Sequence, residues 1–274
     1  MLQFILGRAA TGRTYSIMQR IKNDVVSGKE VVLLIPEQFS FECERQVLHT
    51  LGDMSAMRVE VLSFSRICDE VNRLAGGSAF SVMSDCDKII TMRLALKTVE
   101  KELKVWGKYV DSARFASIMV ETIDELKTCA ISPEQLSSIS PIGTLGNKID
   151  DIKQIYLTYD ALIHNRFIDP TDNLTHLYNK LRDFKYFNNK EVYIDSFKDF
   201  TGQQYKILER IISQANNITV SLLSDGFDED KPDILYNLRN VKRRISAIAS
   251  KYNVECAEPV FFKESRYFSN ELIT

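Results

Sequence analysis

In LGRAATGRT (residues 6–14), Gly7 and Gly12 have the spacing of a phosphate-binding loop, G-x-x-x-x-G-K-[ST]. Arg13 stands where that pattern has lysine, and Thr14 follows it. Gly7 is expected to let the chain turn sharply out of a strand, and Gly12 to let backbone N–H groups approach a phosphate. Thr14 is expected to open a helix whose N-terminal dipole favours an anion. Ala10 and Thr11 complete the loop, so the candidate nucleotide-binding residues are Gly7, Ala10, Thr11, Gly12, Arg13 and Thr14. Arginine keeps the positive charge, but its planar fork is bulkier than an ammonium and does not replace it conservatively. The alternative for the same residues is an ordinary strand-to-helix turn.

A loop of this kind holds Mg²⁺ through its Ser or Thr together with a carboxylate at the end of a neighbouring strand. VYIDSF (residues 192–197) supplies one: Val192, Tyr193 and Ile194 read as strand, and Asp195 ends it. Thr14 and Asp195 are therefore the candidate metal-binding residues, with ATP and Mg²⁺ as candidate cofactors. The position after Asp195, where a second acid would orient water, holds Ser196. Serine is no carboxylate base near neutral pH, so slow hydrolysis is expected even with ATP bound. No residue is assigned as catalytic. Glu125-Leu126-Lys127 matches a Glu-x-Lys string, but it falls in a helical stretch and is assigned to a solvated helix face.

The elements that must position these residues follow from periodicity. Gln3–Leu6, VVLLI (31–35) and VEVL (59–62) are short apolar runs, each followed by a helical pattern, the last ending at Gly76-Gly77. Alternating strand and helix implies a parallel sheet with crossover helices, an α/β fold. The pattern then changes, with almost no strand signal before residue 187. Ser84 and Asp87 form a capping box, followed by a stripe of Ile89, Met92, Leu96, Val99 and Leu103. Ser132-Pro133-Glu134-Gln135 starts another helix, and Ile149, Ile152, Ile155, Tyr159 and Leu162 mark a third. Strand signals return at EVYID (191–195), ITVSLLS (218–224) and PVFF (259–262), with helices over 201–215 and 233–252 between them. The expected organisation is an α/β domain over 1–80 and 188–274, interrupted by an all-helical insertion over 81–187.

Composition narrows the classes further. With 35 basic and 37 acidic side chains, the net charge of −2 offers no global attraction to nucleic acid, so any such contact rests on a local groove. No apolar run of about 18 residues suggests a membrane span, and the opening residues read as a strand rather than a signal peptide. The five cysteines are scattered, without a C-x-x-C pair, which fits a reducing cytoplasm better than a zinc site or disulfide framework.

Four segments in order resemble the N-terminal part of AddB, the second of the two subunits in bacterial AddAB helicase-nucleases. FILGRAATGRT resembles the family's opening loop. LLIPEQFSFECE is similar to its Pro-(Asp/Glu)-Gln segment at the place of helicase motif Ia, and VEVLSFSRICDEV to its Ser-Phe-Ser-Arg segment at the place of motif Ib. VYIDSFKDFTGQQYKIL resembles the segment that replaces motif II. The resemblance covers essentially the whole chain. It implies a RecA-like helicase domain with a helical insertion, from a protein that processes double-strand DNA ends. It also implies an AddA-like helicase subunit as partner, single-stranded DNA as ligand, scanning for the hotspot Chi, and a nuclease with an iron–sulfur cluster only in a C-terminal part absent here. Arg13 departs from the lysine that many relatives keep.

By position in these segments, Gln38 and Ser40 are expected to hydrogen-bond bases or phosphates. Phe39, Phe64 and Phe197 are expected to offer stacking faces, and Arg66 to pair with phosphate or guanine. Two other readings of the chain are a self-sufficient small P-loop NTPase or kinase, and a scaffold whose helical part docks a partner.

Overall fold

The computed structural model describes residues 1–77, 80–138, 142–164, 166–224 and 236–263. The chain begins with β1 (Leu2–Gly7), α1 (Arg13–Val26), β2 (Glu30–Leu34), α2 (Ser40–Leu51), α3 (Asp53–Ala56), β3 (Val59–Leu62) and α4 (Phe64–Ala75). It continues through β4 (Ser81–Val82), α5 (Asp85–Val99), α6 (Ala113–Thr128), α7 (Pro133–Ser138), α8 (Thr144–Ile163), β5 (Phe167–Ile168) and α9 (Asn173–Asp183). The last elements are β6 (Lys190–Ile194), α10 (Gly202–Gln214), β7 (Asn217–Leu223), α11 (Tyr236–Lys251) and β8 (Val260–Phe262). The helix expected over 233–252 is observed from Tyr236, and residues 233–235 lie outside the described residues. Among the described residues, no helix is long and apolar enough to cross a membrane.

The fold is α/β, with a six-stranded parallel sheet in the order β3-β2-β6-β7-β1-β8 and helices flanking it. Two compact units emerge. One holds Met1–Ala75, Leu177–Phe200 and the described residues from Gln204 on; the other holds Gly76–His176 with Thr201–Gln203.

In the sheet unit, β6 enters between β2 and β7, and all five of its residues are buried. A strand covered on both faces reads as a continuous apolar run, which is why VVLLI and VYI stand out in the sequence. Ile17, Ile21 and Val25 of α1 pack with Ile5, Val31, Leu33, Ile35 and Val61. The register pairs Leu34 with both Leu62 and Ile194, Ile194 with Val220, and Gly7 with Leu223. The carboxyl ends of five strands therefore meet at one edge, where open α/β sheets bind ligands.

The helical unit is built on the expected stripes. Met92, Leu96, Ile155 and Tyr159 are wholly or almost wholly buried, together with Ala116, Met119 and Ile123. The Ser84–Asp87 capping box forms in both directions. At the start of α7, Ser132 and Gln135 cap each other reciprocally. The small parallel pair β4–β5, two residues each, was below any sequence signal. Inside the α8 contact, the buried Asp151 carboxylate accepts three backbone N–H bonds, from Lys104, Val105 and Trp106, at 2.8–3.1 Å.

The Glu-x-Lys string behaves differently from its expected solvated face. Glu125 is exposed, but Lys127 is buried. Its ammonium lies 2.9 Å from Asp169, 2.6 Å from Asp172 and 3.2 Å from Asp160. Lys88, also buried, reaches the other oxygen of Asp169 at 2.7 Å and Asp124 at 2.9 Å. Burial raises the pKa of the Asp169 carboxyl, but the two lysines outweigh that and hold it below its ordinary value. A depressed carboxyl contributes stability above its unfolded-state pKa and loses it as pH falls through the folded value. Removing the Lys127 ammonium leaves the buried Asp169 with Lys88 alone and takes the counter-charge from the half-buried Asp160 and Asp172. Lys127→Ala is therefore expected to destabilise the helical unit by about 3–5 kcal/mol at neutral pH. Urea denaturation should show that deficit shrink in acid, and a deficit independent of pH would contradict the ion pairing.

Candidate nucleotide site and nucleic-acid interface

The loop between β1 and α1 turns on two left-handed residues, Ala10 (φ 62°) and Gly12 (φ 93°). Gly12 is the residue before the helix, and α1 begins at Arg13, one residue earlier than Thr14. Gly7 is not left-handed, so it does not make the turn expected of it. It ends β1 at a point of close approach. A Cβ there would lie 2.6 Å from Thr11 Oγ1 and 2.8 Å from the Phe262 carbonyl oxygen. Thr11 is buried and donates to the Arg8 carbonyl at 2.9 Å, closing the loop on itself.

Thr14 and Asp195, 181 residues apart, are brought into direct contact: Thr14 Oγ1 donates to Asp195 Oδ2 at 2.9 Å. Asp195 is buried just past β6, and its own N–H still bonds to the Leu34 carbonyl at 3.1 Å. Arg13 Nη1 donates to Ser221 Oγ of β7 at 3.0 Å, which draws the guanidinium toward the sheet. Burial lowers the Arg13 pKa, and the nearby Asp195 charge works in the opposite direction. Ser196 adopts a left-handed backbone (φ 67°), a conformation that costs a non-glycine residue about 1–3 kcal/mol.

Beyond this pair lies a groove of about 920 Å³, lined among others by Arg13, Gln38, Phe39, Phe64, Phe197 and Asp199. Pro36 leads into a 3-10 turn, Glu37–Phe39, that leaves Gln38 exposed and Phe39 41% exposed. Phe197 is half-buried, at 5.7 Å edge-to-face from Phe64 and 4.7 Å stacked on Phe200. Phe64 itself is 6% exposed and forms the floor of this aromatic group.

Two candidates do not line the groove. Ser40 is buried at the start of α2, its hydroxyl without a hydrogen-bond partner among the described residues. Arg66 pairs with Glu44 and donates to the Val61 carbonyl at 3.3 Å. The groove also depends on residues that sequence reasoning passed over. Ser65 donates to Glu37, the neighbour of Gln38, and the Ser63 and Ser65 hydroxyls are 3.0 Å apart. Serines ahead of a helical stripe were a usable signal for the start of α4. Ser221 gave none, because its approach to Arg13 depends on β7 lying beside β1.

Comparison with known proteins agrees with this frame. A family model described as ADDB, N-terminal, matches residues 4–274. The chain belongs to that family. A Clostridium tetani protein, named as the B-subunit of an ATP-dependent helicase/deoxyribonuclease, is 30% identical over 271 residues, 94% of this chain and 24% of that protein. One of the same name from Thermoanaerobacter sp. (strain X514) is 32% identical over 281 residues, 98% of this chain and 24% of that protein. The chain thus spans about a quarter of the length of the curated relatives it matches.

The two glycines have separate physical roles, and each is open to substitution. Gly7→Ala is expected to cost about 1–3 kcal/mol through overpacking, and Gly12→Ala about 1–2 kcal/mol through its left-handed backbone. Chemical denaturation measures both, and an unperturbed Gly7→Ala protein would refute the crowding at β8.

Proposed function

We propose that this chain is the helicase-like N-terminal portion of an AddB-type ATP-dependent helicase/deoxyribonuclease component, and that its groove binds single-stranded DNA while double-strand ends are processed. The observation that carries this reading is the convergence of Gln38, Phe39 and Phe197 on one groove at the carboxyl edge of a parallel sheet. An exposed amide beside accessible aromatic faces is the inventory that holds unstacked bases, because every base has a π-face and a hydrogen-bonding edge. Arg66, tied to Glu44, and Ser40, buried, take part only after a side-chain rearrangement.

The same reading includes an AddA-like helicase subunit as partner, scanning of the strand for Chi, and a cytoplasmic location. The iron–sulfur cluster belongs to the C-terminal part of the longer protein. The family resemblance supports these points, and the relatives' names, each that of one subunit of a helicase/deoxyribonuclease, support a partner subunit.

For ATP, the residues fit in part. Thr14 Oγ1 and Asp195 already meet at the place where a hydroxyl and a carboxylate would share Mg²⁺. Gly12 and the start of α1 supply N–H groups to phosphate. A bound Mg²⁺ would neutralise phosphate charge at that point. Arg13, bonded to Ser221, must leave a partly buried hydrogen bond to reach a phosphate, and Ser196 supplies no base for water. Weak binding and very slow hydrolysis follow.

Two measurements on the full-length protein carrying this chain test the two halves. Gln38→Ala is expected to weaken binding of a fluorescent single-stranded oligonucleotide about fivefold or more; unchanged affinity counts against the groove. Arg13→Lys is expected to tighten Mg²⁺-ATP binding in calorimetry, and equally tight binding by wild type and variant would show that arginine does not weaken the site.

A further inference from the structure

A second cleft, of about 330 Å³, opens beside the groove and shares Asp199 and Asn237 with it. Its wall is one face of α11. Asn237, Asn240 and Arg244 recur at spacings of three and four, so their side chains stand on successive turns. Val241, 1% exposed, gives the cleft an apolar base. The Arg244 guanidinium carbon lies 3.7 Å over the centre of the Tyr205 ring. Tyr205 is buried and packs edge-on against Phe200 at 5.5 Å, so it is a fixed support. Arg244 is exposed and lines the cleft, so its guanidinium is held beside that ring where a ligand in the cleft can reach it. Opposite, Asp199 Oδ1 accepts the Phe200 N–H at 2.7 Å and the Tyr205 hydroxyl at 3.3 Å. These bonds hold the carboxylate at the mouth shared by the two cavities.

We propose that this cleft is a base-selective subsite on the single-strand path, taking one unstacked base that carries an exocyclic amino group. The inference rests on the single-strand reading of the neighbouring groove and adds to it the Asn237, Asn240 and Arg244 face of α11, which lies outside the four segments of family resemblance and meets Asp199 and Tyr205 of the fourth. A planar cation offers a stacking plate to any base. A fixed carboxylate accepts from the amino groups of cytosine, adenine or guanine, and thymine has none. The two asparagine amides supply further donors and acceptors along the same edge. The carboxylate also argues against a phosphate here, since two anions at hydrogen-bond distance repel.

The test uses the full-length protein and fluorescent dC15 and dT15 oligonucleotides. Wild type is expected to bind dC15 more tightly, and Asp199→Asn to narrow that preference. Arg244→Ala is expected to weaken dC15 binding about tenfold, the cost of one lost base-stacking contact. Because Arg244 is exposed on its helix, the variant should fold normally, as circular dichroism will show. Arg244→Lys separates plate from charge, and it should be as weak as Arg244→Ala. Rescue by lysine would reveal a phosphate contact and overturn the subsite. Unchanged binding in Arg244→Ala alongside weakened binding in Gln38→Ala overturns the subsite and leaves the groove. Unchanged binding in both variants overturns the two together.

Discussion

The parallel ladder that seats β6 between β2 and β7 is the constraint on which the candidate site depends. More than a hundred residues separate β3 from β6 in the chain, yet Leu34 pairs with Ile194 and Ile194 with Val220. That register puts Asp195 opposite the start of α1 and sets Ser196–Asp199 beside the Pro36–Phe39 turn. One slip of register would turn every side chain of β6 to the other face and take Asp195 from Thr14. In a strand covered on both faces burial alone would not forbid the slip; the close packing of particular side chains on each face does. Even the two charged residues of β6 are compensated in place, Lys190 by Glu60 at 2.6 Å and Glu191 by Lys29 at 3.2 Å.

From that alignment the chemistry of the edge divides in two. Toward β1 the groups are polar and mutually satisfied: Thr14 with Asp195, Arg13 with Ser221, Thr11 with Arg8. A ligand entering there must exchange existing hydrogen bonds for its own, so the net gain per contact is small. Toward β2 and β3 the groups are an exposed amide and aromatic faces, which give up little on binding a base. On the proposed reading, the same sheet edge would resist a nucleotide and accommodate a strand.

Much of this was legible in the residues. The apolar runs of the buried strands, the helical stripes and both capping boxes rest on local chemistry, and each segment announces its own element. The phosphate-loop spacing and the acid after VYI were equally local. What escaped was long-range. Ser221 meets Arg13 only because β7 lies next to β1, and Lys127 is buried only because Asp169 and Asp172 come to it from beyond α8. A Glu-x-Lys string on a helix carries no sign of which face is covered. Gln38 and Phe39 could be placed on a loop, but whether Arg66 points at solvent or at Glu44 is decided by α2, which the Ser-Phe-Ser-Arg segment does not mention.

The glycine spacing itself is weaker evidence of nucleotide chemistry than it looks. Gly7 is required where β1, Thr11 and Phe262 crowd together, and glycine is favoured at position 12, where a left-handed residue precedes α1. Both demands come from packing a strand, a tight turn and a helix at the edge of this sheet, with or without a phosphate. The loop would keep its glycines after losing its ligand. The groups that discriminate are those the fold does not demand: a hydroxyl at position 14 facing Asp195, a lysine or arginine at 13, an acid or serine at 196. Two of these three depart from what hydrolysis needs, and the third, Thr14 with Asp195, is the remaining argument that the site still meets a metal-bound phosphate.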